Sequence, residues 1–283
     1  MTLRPSEYFM PGGSSGVLLI HGLTGTPNEM RTVARGLNRA GFTVLAEQLA
    51  GHCGSEADLL KTGWQDWFSS VETAAENLRK EVDRIFVGGL SMGALLALKY
   101  AIEHPGKVSG LGLYGTTFFY DGWSIPTIGR LSFLLPIFDR LGIGKKHVAP
   151  ESFPFGIKNE RIRRSITKKM FSGDSAAAGL TGHPWPSLAE FYRLSRDVQR
   201  NLGRVTTPSL VVHARDDDVA SLRNAELIEN RVSGIVETVV LDDSYHMITV
   251  DQQRDLVIEK SIAFFRKVEA AEQPIETPPR TRT

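Results

Sequence analysis

The 283 residues carry a formal net charge of +1 and 41% hydrophobic content, a balance that suits one globular domain with room for an inserted subdomain. So even a charge gives no electrostatic footprint for nucleic acid, and no nucleic-acid partner is expected. The longest apolar runs, such as GVLLI at Gly16–Ile20, fall far short of the roughly 20 residues of a membrane helix, so no integral membrane span is expected.

From the first residue onward, MTLRPSEYFMPGG has no charged segment followed by an apolar core, and it does not read as a secretory signal. Short apolar runs then alternate with longer stretches of helical period. Strands are expected at Gly16–His21, Thr43–Leu49, Arg84–Gly88, Val108–Tyr114, Pro208–Ala214 and Glu237–Leu241. Their continuous apolar character fits burial on both faces. The expected class is therefore α/β, a mostly parallel sheet flanked by helices. In GTPNEMRTVARGLNRAG, Thr26 reads as N-cap, Pro27 as first helical residue, Glu29 as the partner in a capping box and Gly41 as the stop. Further helices are expected at Trp64–Val82, after Ser91 up to the HPG of His104–Gly106, and at Asp251–Lys267.

Between Tyr114 and Pro208 no strand signal is visible over about 90 residues, too long for an ordinary connection. That stretch reads as an inserted helical cap. It holds Phe118, Phe119, Phe133, Phe138, Phe153, Phe155, Phe171 and Phe191, with Tyr120, Trp123, Trp185 and Tyr192, enough for an aromatic core of its own. Phe118, Phe119, Trp123, Phe133, Phe138 and Trp185 are the candidate substrate-binding rings. The expected organisation is a core of residues 1–117 and 205–270, a cap of residues 118–204 and a disordered tail of residues 271–283, where three prolines and no core-forming pattern dominate.

VGGLSMGALLALKYA at Val87–Ala101 places the G-x-S-x-G pattern between an expected strand and an expected helix, the context in which the pattern is informative. A serine there sits on a strained turn at the carboxyl end of the sheet, and its flanking glycines allow close approach of neighbouring backbone. A serine nucleophile needs a base and the base an orienting acid. LVVHARDDDVAS ends a strand in Asp216, Asp217 and Asp218, and LDDSYHMITVDQ puts His246 between the last strand and the last helix. The oxyanion of a tetrahedral intermediate needs two donors: the N–H of Met92, and that of Leu23 in the glycine-rich LLIHGLTGTP.

With HGLTG, GLSMGA, HARDDD and SYHMITVD in place, the chain from about Gly16 to Phe265 resembles the α/β-hydrolases, and among them the small bacterial carboxylesterases and monoacylglycerol lipases. The resemblance implies a triad of Ser91, Asp217 and His246, with Asp217 selected as the acid three residues after Ala214. Two departures touch the pocket rim: AGHCGS stands where relatives read like G-H-G, and the acid loop lacks the usual proline after its valine.

Other residues are set aside. Cys53 follows His52 but lacks the activating environment and acid of a thiol nucleophile; as the single cysteine it forms no internal disulfide and fits a reducing compartment, the cytoplasm. His21 is expected to organise the oxyanion loop and His213 to be a satisfied core residue. His104, His147 and His183 have no metal-ligand spacing, and no dinucleotide or phosphate-loop fingerprint occurs, so neither metal nor cofactor is expected. KNERIRRSITKK at Lys158–Lys169 reads as a solvated helix face, with attraction of carboxylate-bearing or interfacial substrates as its functional alternative. The expected function is hydrolysis of short- to medium-chain acyl or aryl esters through an acyl-enzyme, monoacylglycerols included. Amidase, thioesterase, cofactor-free haloperoxidase or carbon–carbon bond hydrolase chemistry on the same triad, or ligand binding without catalysis, are the alternatives. A homodimer is left open.

Overall fold

The computed structural model describes residues 4–272. Seven strands form one sheet: β1 (Tyr8–Met10), β2 (Ser15–Ile20), β3 (Thr43–Ala46), β4 (Arg84–Leu90), β5 (Gly110–Tyr114), β8 (Ser209–Ala214) and β9 (Val236–Leu241), in the order β1-β3-β2-β4-β5-β8-β9. All neighbours run parallel except β1, which pairs antiparallel with β3 at the edge. The six expected strands are present. β1 is an addition, three residues long and too short for an alternation to be read.

Helices α1 (Arg31–Arg39), α2 (Glu56–Leu59), α3 (Trp64–Arg79), α4 (Met92–Glu103), α9 (Arg223–Arg231) and α10 (Arg254–Glu272) complete the core. Two apolar layers sandwich the sheet. One joins α3 and α4 to Leu18, Ile20, Val87 and Leu111, and the other joins α1 and α10 to Val17, Leu19, Phe86 and Tyr114. Alternate residues of each central strand thus serve opposite layers, which explains why these strands are apolar throughout.

Several boundaries differ from the sequence reading, each for a visible reason. β3 stops at Ala46, its last partner across from Leu19, and the chain then turns so that the Leu49 N–H can donate to His21 Nε2 at 3.2 Å. The first turn after Thr26 is a 3-10 turn, Pro27–Met30, capped by the Thr26 side chain. Glu29, read as closing a capping box, turns its carboxylate to the Gly22 N–H at 3.1 Å. α10 starts at Arg254, because the buried Asp251 accepts from the backbone N–H groups of Tyr245, Lys158 and Asn159. It runs on to Glu272, so Ala271 and Glu272 are helical, and the rest of the expected tail lies outside the described residues.

Between β5 and β8 come α5 (Leu135–Arg140), β6 (Val148–Pro150), α6 (Glu160–Met170), α7 (Ser175–Ala178), β7 (Gly182–Pro184) and α8 (Trp185–Asn201). β6 and β7 form a two-stranded antiparallel sheet that the sequence reading missed, since three-residue strands ending in prolines carry no period. α8 packs on α3 and α4 as well as on α5. Lys99 of α4 pairs with Asp197 of α8 at 2.7 Å, tying the segment to the core. Its aromatics divide: Phe118 and Phe191 are fully buried, whereas Trp123, Phe133, Phe153 and Phe171 are exposed.

Candidate active site

Ser91 lies between β4 and α4 with φ +56° and ψ −115°, backbone geometry that a non-glycine residue holds only when its surroundings enforce it. The flanking glycines explain how the turn fits. A Cβ on Gly89 would fall 2.1 Å from Gly93 O, and one on Gly93 2.3 Å from Ile20 O. The Ser91 N–H donates to Tyr114 O at 2.9 Å, bringing the serine to the carboxyl end of β5.

Beyond β5, Gly115 has φ +49°, and a Cβ there would stand 3.5 Å from both Nδ1 and Cε1 of His246. That left-handed backbone favours glycine, and the imidazole of His246 packs at ordinary contact distance from it. His246 Nδ1 is 2.8 Å from Asp217 Oδ2, and both side chains are buried. Burial alone would lower the pKa of His246, but the Asp217 carboxylate outweighs it and the net displacement is upward. Burial likewise disfavours the charge on Asp217, yet His246 and His213 hold its pKa below the usual carboxylate range. Asp217 Oδ1 also accepts from the N–H groups of Val219 and Ala220, at 2.8 and 2.7 Å.

The three neighbouring acids separate cleanly. Asp216 is exposed. Asp218 is buried and clamps two backbone groups, the N–H of His246 at 3.2 Å and that of Gly156 at 3.0 Å. His213 is a core residue whose Nε2 bonds to Ala220 O at 2.7 Å; it also stands 3.4 Å from Asp217 Oδ2, a neighbour that sequence reasoning did not assign.

Neither the Leu23 nor the Met92 N–H donates to a protein acceptor among the described residues. The first is aimed by its own peptide. Leu49 N–H donates to His21 Nε2, so Nδ1 carries the proton and donates to Gly22 O at 2.8 Å. Burial and the nearby His52 hold the His21 pKa well below its ordinary value, keeping the ring neutral. Because a trans peptide sets C=O and N–H in opposite directions, fixing Gly22 O turns the Leu23 N–H the other way. The segment between β5 and β8 holds the next residue: Thr24, at φ +61°, donates to Leu23 O at 2.6 Å, lies 3.1 Å from His183 Nδ1 and accepts at its carbonyl from Leu180 N–H at 3.0 Å. His183 Nε2 is in turn 2.8 Å from the half-buried Glu151.

Burial pushes the Cys53 thiol up to about 11, the opposite of an activated nucleophile. Of the six candidate substrate rings, Phe118 follows Thr117 at the site but is fully buried in the core. Phe119 is half-buried under Arg223, and Trp185 packs against His147. Trp123 donates to Asp216 O at 2.9 Å and meets Tyr245, beside the acid and base loops. Phe133 and Phe138 are open to solvent.

The family described as serine aminopeptidase, S33, matches residues 14–253. The chain belongs to this family of serine hydrolases. This hydrolase is 31% identical over 261 residues to a thermostable monoacylglycerol lipase of Bacillus sp. (strain H-257), covering 92% of the chain and 94% of that protein. It is 27% identical to a carboxylesterase of Bacillus subtilis (strain 168) over 269 residues, covering 94% and 98%. A solved structure of a metagenome-derived lipolytic enzyme superposes with a TM-score of 0.77 at 27% identity, covering 94% of the hydrolase and all of that chain.

Proposed function

We propose that this hydrolase opens carboxylic esters of short to medium acyl chains, with monoacylglycerols among its substrates, through an acyl-enzyme on Ser91. The observation that carries the reading is the buried Asp217–His246 pair set beside a serine in strained backbone geometry. The lipase and carboxylesterase named among its relatives favour an ester as the bond attacked.

In this mechanism Ser91 Oγ adds to the ester carbonyl while His246 Nε2 takes its proton, with Asp217 holding the ring by Nδ1. The carbonyl oxygen, now an alkoxide, receives the N–H groups of Leu23 and Met92. Collapse breaks the bond to the alcohol, which leaves with the proton from His246. Water then repeats the sequence on the acyl-enzyme and releases the acid. Residues 118–204 act as the cap, with α8 as its root on the core and Phe119, Trp123 and Trp185 as the rings placed to meet substrate. Among the described residues no helix is long and apolar enough to cross a membrane. The lone Cys53 favours a reducing compartment, and we place the enzyme in the cytoplasm.

The test is hydrolysis of a p-nitrophenyl ester series from acetyl to palmitoyl, with aminoacyl p-nitroanilides alongside, by wild type and Ser91→Ala. Ester turnover that disappears in the variant supports the reading, and the chain-length optimum sizes the acyl site. Turnover of anilides alone would move the assignment to amide bonds, and no turnover with no fluorophosphonate labelling of Ser91 would move it to ligand binding.

A further inference from the structure

Among the described residues, every exposed large apolar side chain except Leu60 and Ile235 falls between Trp123 and Phe171. The same stretch carries ten Lys and Arg against three acids, Asp139, Glu151 and Glu160, a surplus of seven in a chain whose total is +1. The remainder of the protein is therefore net negative, and the positive charge is concentrated where the apolar surface is.

The two properties meet most closely over residues 128–148. Leu135 is buried there, Ser132 Oγ bonds to the Tyr192 hydroxyl of α8 at 2.5 Å, and Arg193 of α8 reaches Asp139 at 2.6 Å. The inner side of this segment is thus fixed to α8, and its outer side is left without a covering element. Ile128, Leu131, Phe133, Ile137, Leu141 and Ile143 are all exposed, Ile128 by 80% and Leu141 by 66%. Arg130, Arg140, Lys145 and Lys146 are exposed beside them and form no ion pair among the described residues. The single acid of the segment, Asp139, is already neutralised by Arg193.

Exposed apolar side chains gathered in one segment mark an interaction site, and apolar side chains interleaved with unpaired cations match an interface that is apolar below and anionic above. We propose that residues 128–148 are a docking surface for an anionic phospholipid bilayer. A second copy of the chain fits less well, because an isologous contact through this face would set the four cations against their own counterparts. The proposal is independent of which acyl bond Ser91 opens.

The experiment is co-sedimentation of the full chain with vesicles of equal parts phosphatidylglycerol and phosphatidylcholine, and with phosphatidylcholine alone. It is run at low and high salt, with p-nitrophenyl acetate turnover as the measure of an intact fold. The wild type is expected to partition at least tenfold more strongly onto the anionic vesicles and to lose most of that preference in high salt. The quadruple charge variant R130E/R140E/K145E/K146E should lose roughly 600-fold in partition, at about fivefold per cation removed, while hydrolysing the soluble ester normally. A second variant, L131S/I137S/L141S/I143S, should retain only weak, fully salt-sensitive adsorption. Equal partition onto both vesicles, undiminished binding of the charge variant, or a wild-type dimer in analytical ultracentrifugation that the serine variant dissociates would each overturn the proposal, the last in favour of self-association.

Discussion

Ser91 Oγ lies 3.1 Å from Thr117 Oγ1 and makes no hydrogen bond to His246. Thr117 is fully buried and its hydroxyl donates to Gly115 O at 3.1 Å, which leaves its oxygen to accept from the serine. The Ser91 hydroxyl therefore rests on a neighbour that cannot take its proton, and the proposed mechanism requires it to turn to the imidazole when substrate arrives; such tightening on binding is common at catalytic hydrogen bonds. Thr117→Val removes the resting acceptor. It is expected to speed fluorophosphonate labelling of Ser91 by roughly fivefold, the worth of about one neutral hydrogen bond, and a slower rate would show that Thr117 assists the attack.

The pH dependence follows from His246. In the proposed mechanism the ring acts as a base only when neutral, and the Asp217 carboxylate, overcoming the opposing effect of burial, raises its pKa above the ordinary value. Activity should therefore fall as pH drops through a midpoint above about 6.5, measured as kcat/KM. In Asp217→Asn the midpoint should move below that value, with kcat reduced by about 10⁴ through loss of the correct tautomer.

Asp218 predicts a stability signature distinct from catalysis. Burial, with Asp217 beside it, raises its pKa to about 6, against about 3.9 in an unfolded chain. A folded-state pKa above the unfolded one means stability that is present below about pH 4 and lost as pH rises through about 6, by roughly 3 kcal/mol over the window. Asp218→Asn does not titrate and mispairs one of the two N–H groups of Gly156 and His246, at a cost of about 1–3 kcal/mol. Its thermal midpoint should lie furthest below wild type near pH 4, with the gap narrowing by pH 7.

The segment between β5 and β8 reaches Thr24, in the loop after β2, through His183. Removing it in His183→Ala frees the Thr24 side chain and the strained loop that carries Leu23. We expect kcat to fall about tenfold with KM nearly unchanged, since the loop contributes in the transition state. Glu151→Gln, which keeps a hydrogen-bond acceptor for His183 Nε2, should cost less. An effect confined to KM would instead place the pair in substrate binding.

Much of this protein is written locally. The apolar strands, the helix after Thr26 and the G-x-S-x-G turn follow from side-chain period, glycine permissiveness and capping chemistry, all of which act between near neighbours in the chain. The class of fold and the turn that carries Ser91 were legible for that reason. Asp218, Thr117, Glu151 and His183 were not. Each of these is polar with no local signal for its role, and each acquires its partner from 26 to 159 residues away.

The sequence by itself determined the two-sided burial of the sheet and the serine at its sharpest turn, because backbone sterics and hydrophobic period need no distant partner. Only the tertiary structure decided which of three adjacent aspartates faces the imidazole, which rings between β5 and β8 stay in water and where the loop of Leu23 is held. Those outcomes depend on desolvation and on long-range hydrogen bonds, and both exist only once elements far apart in the chain have packed together.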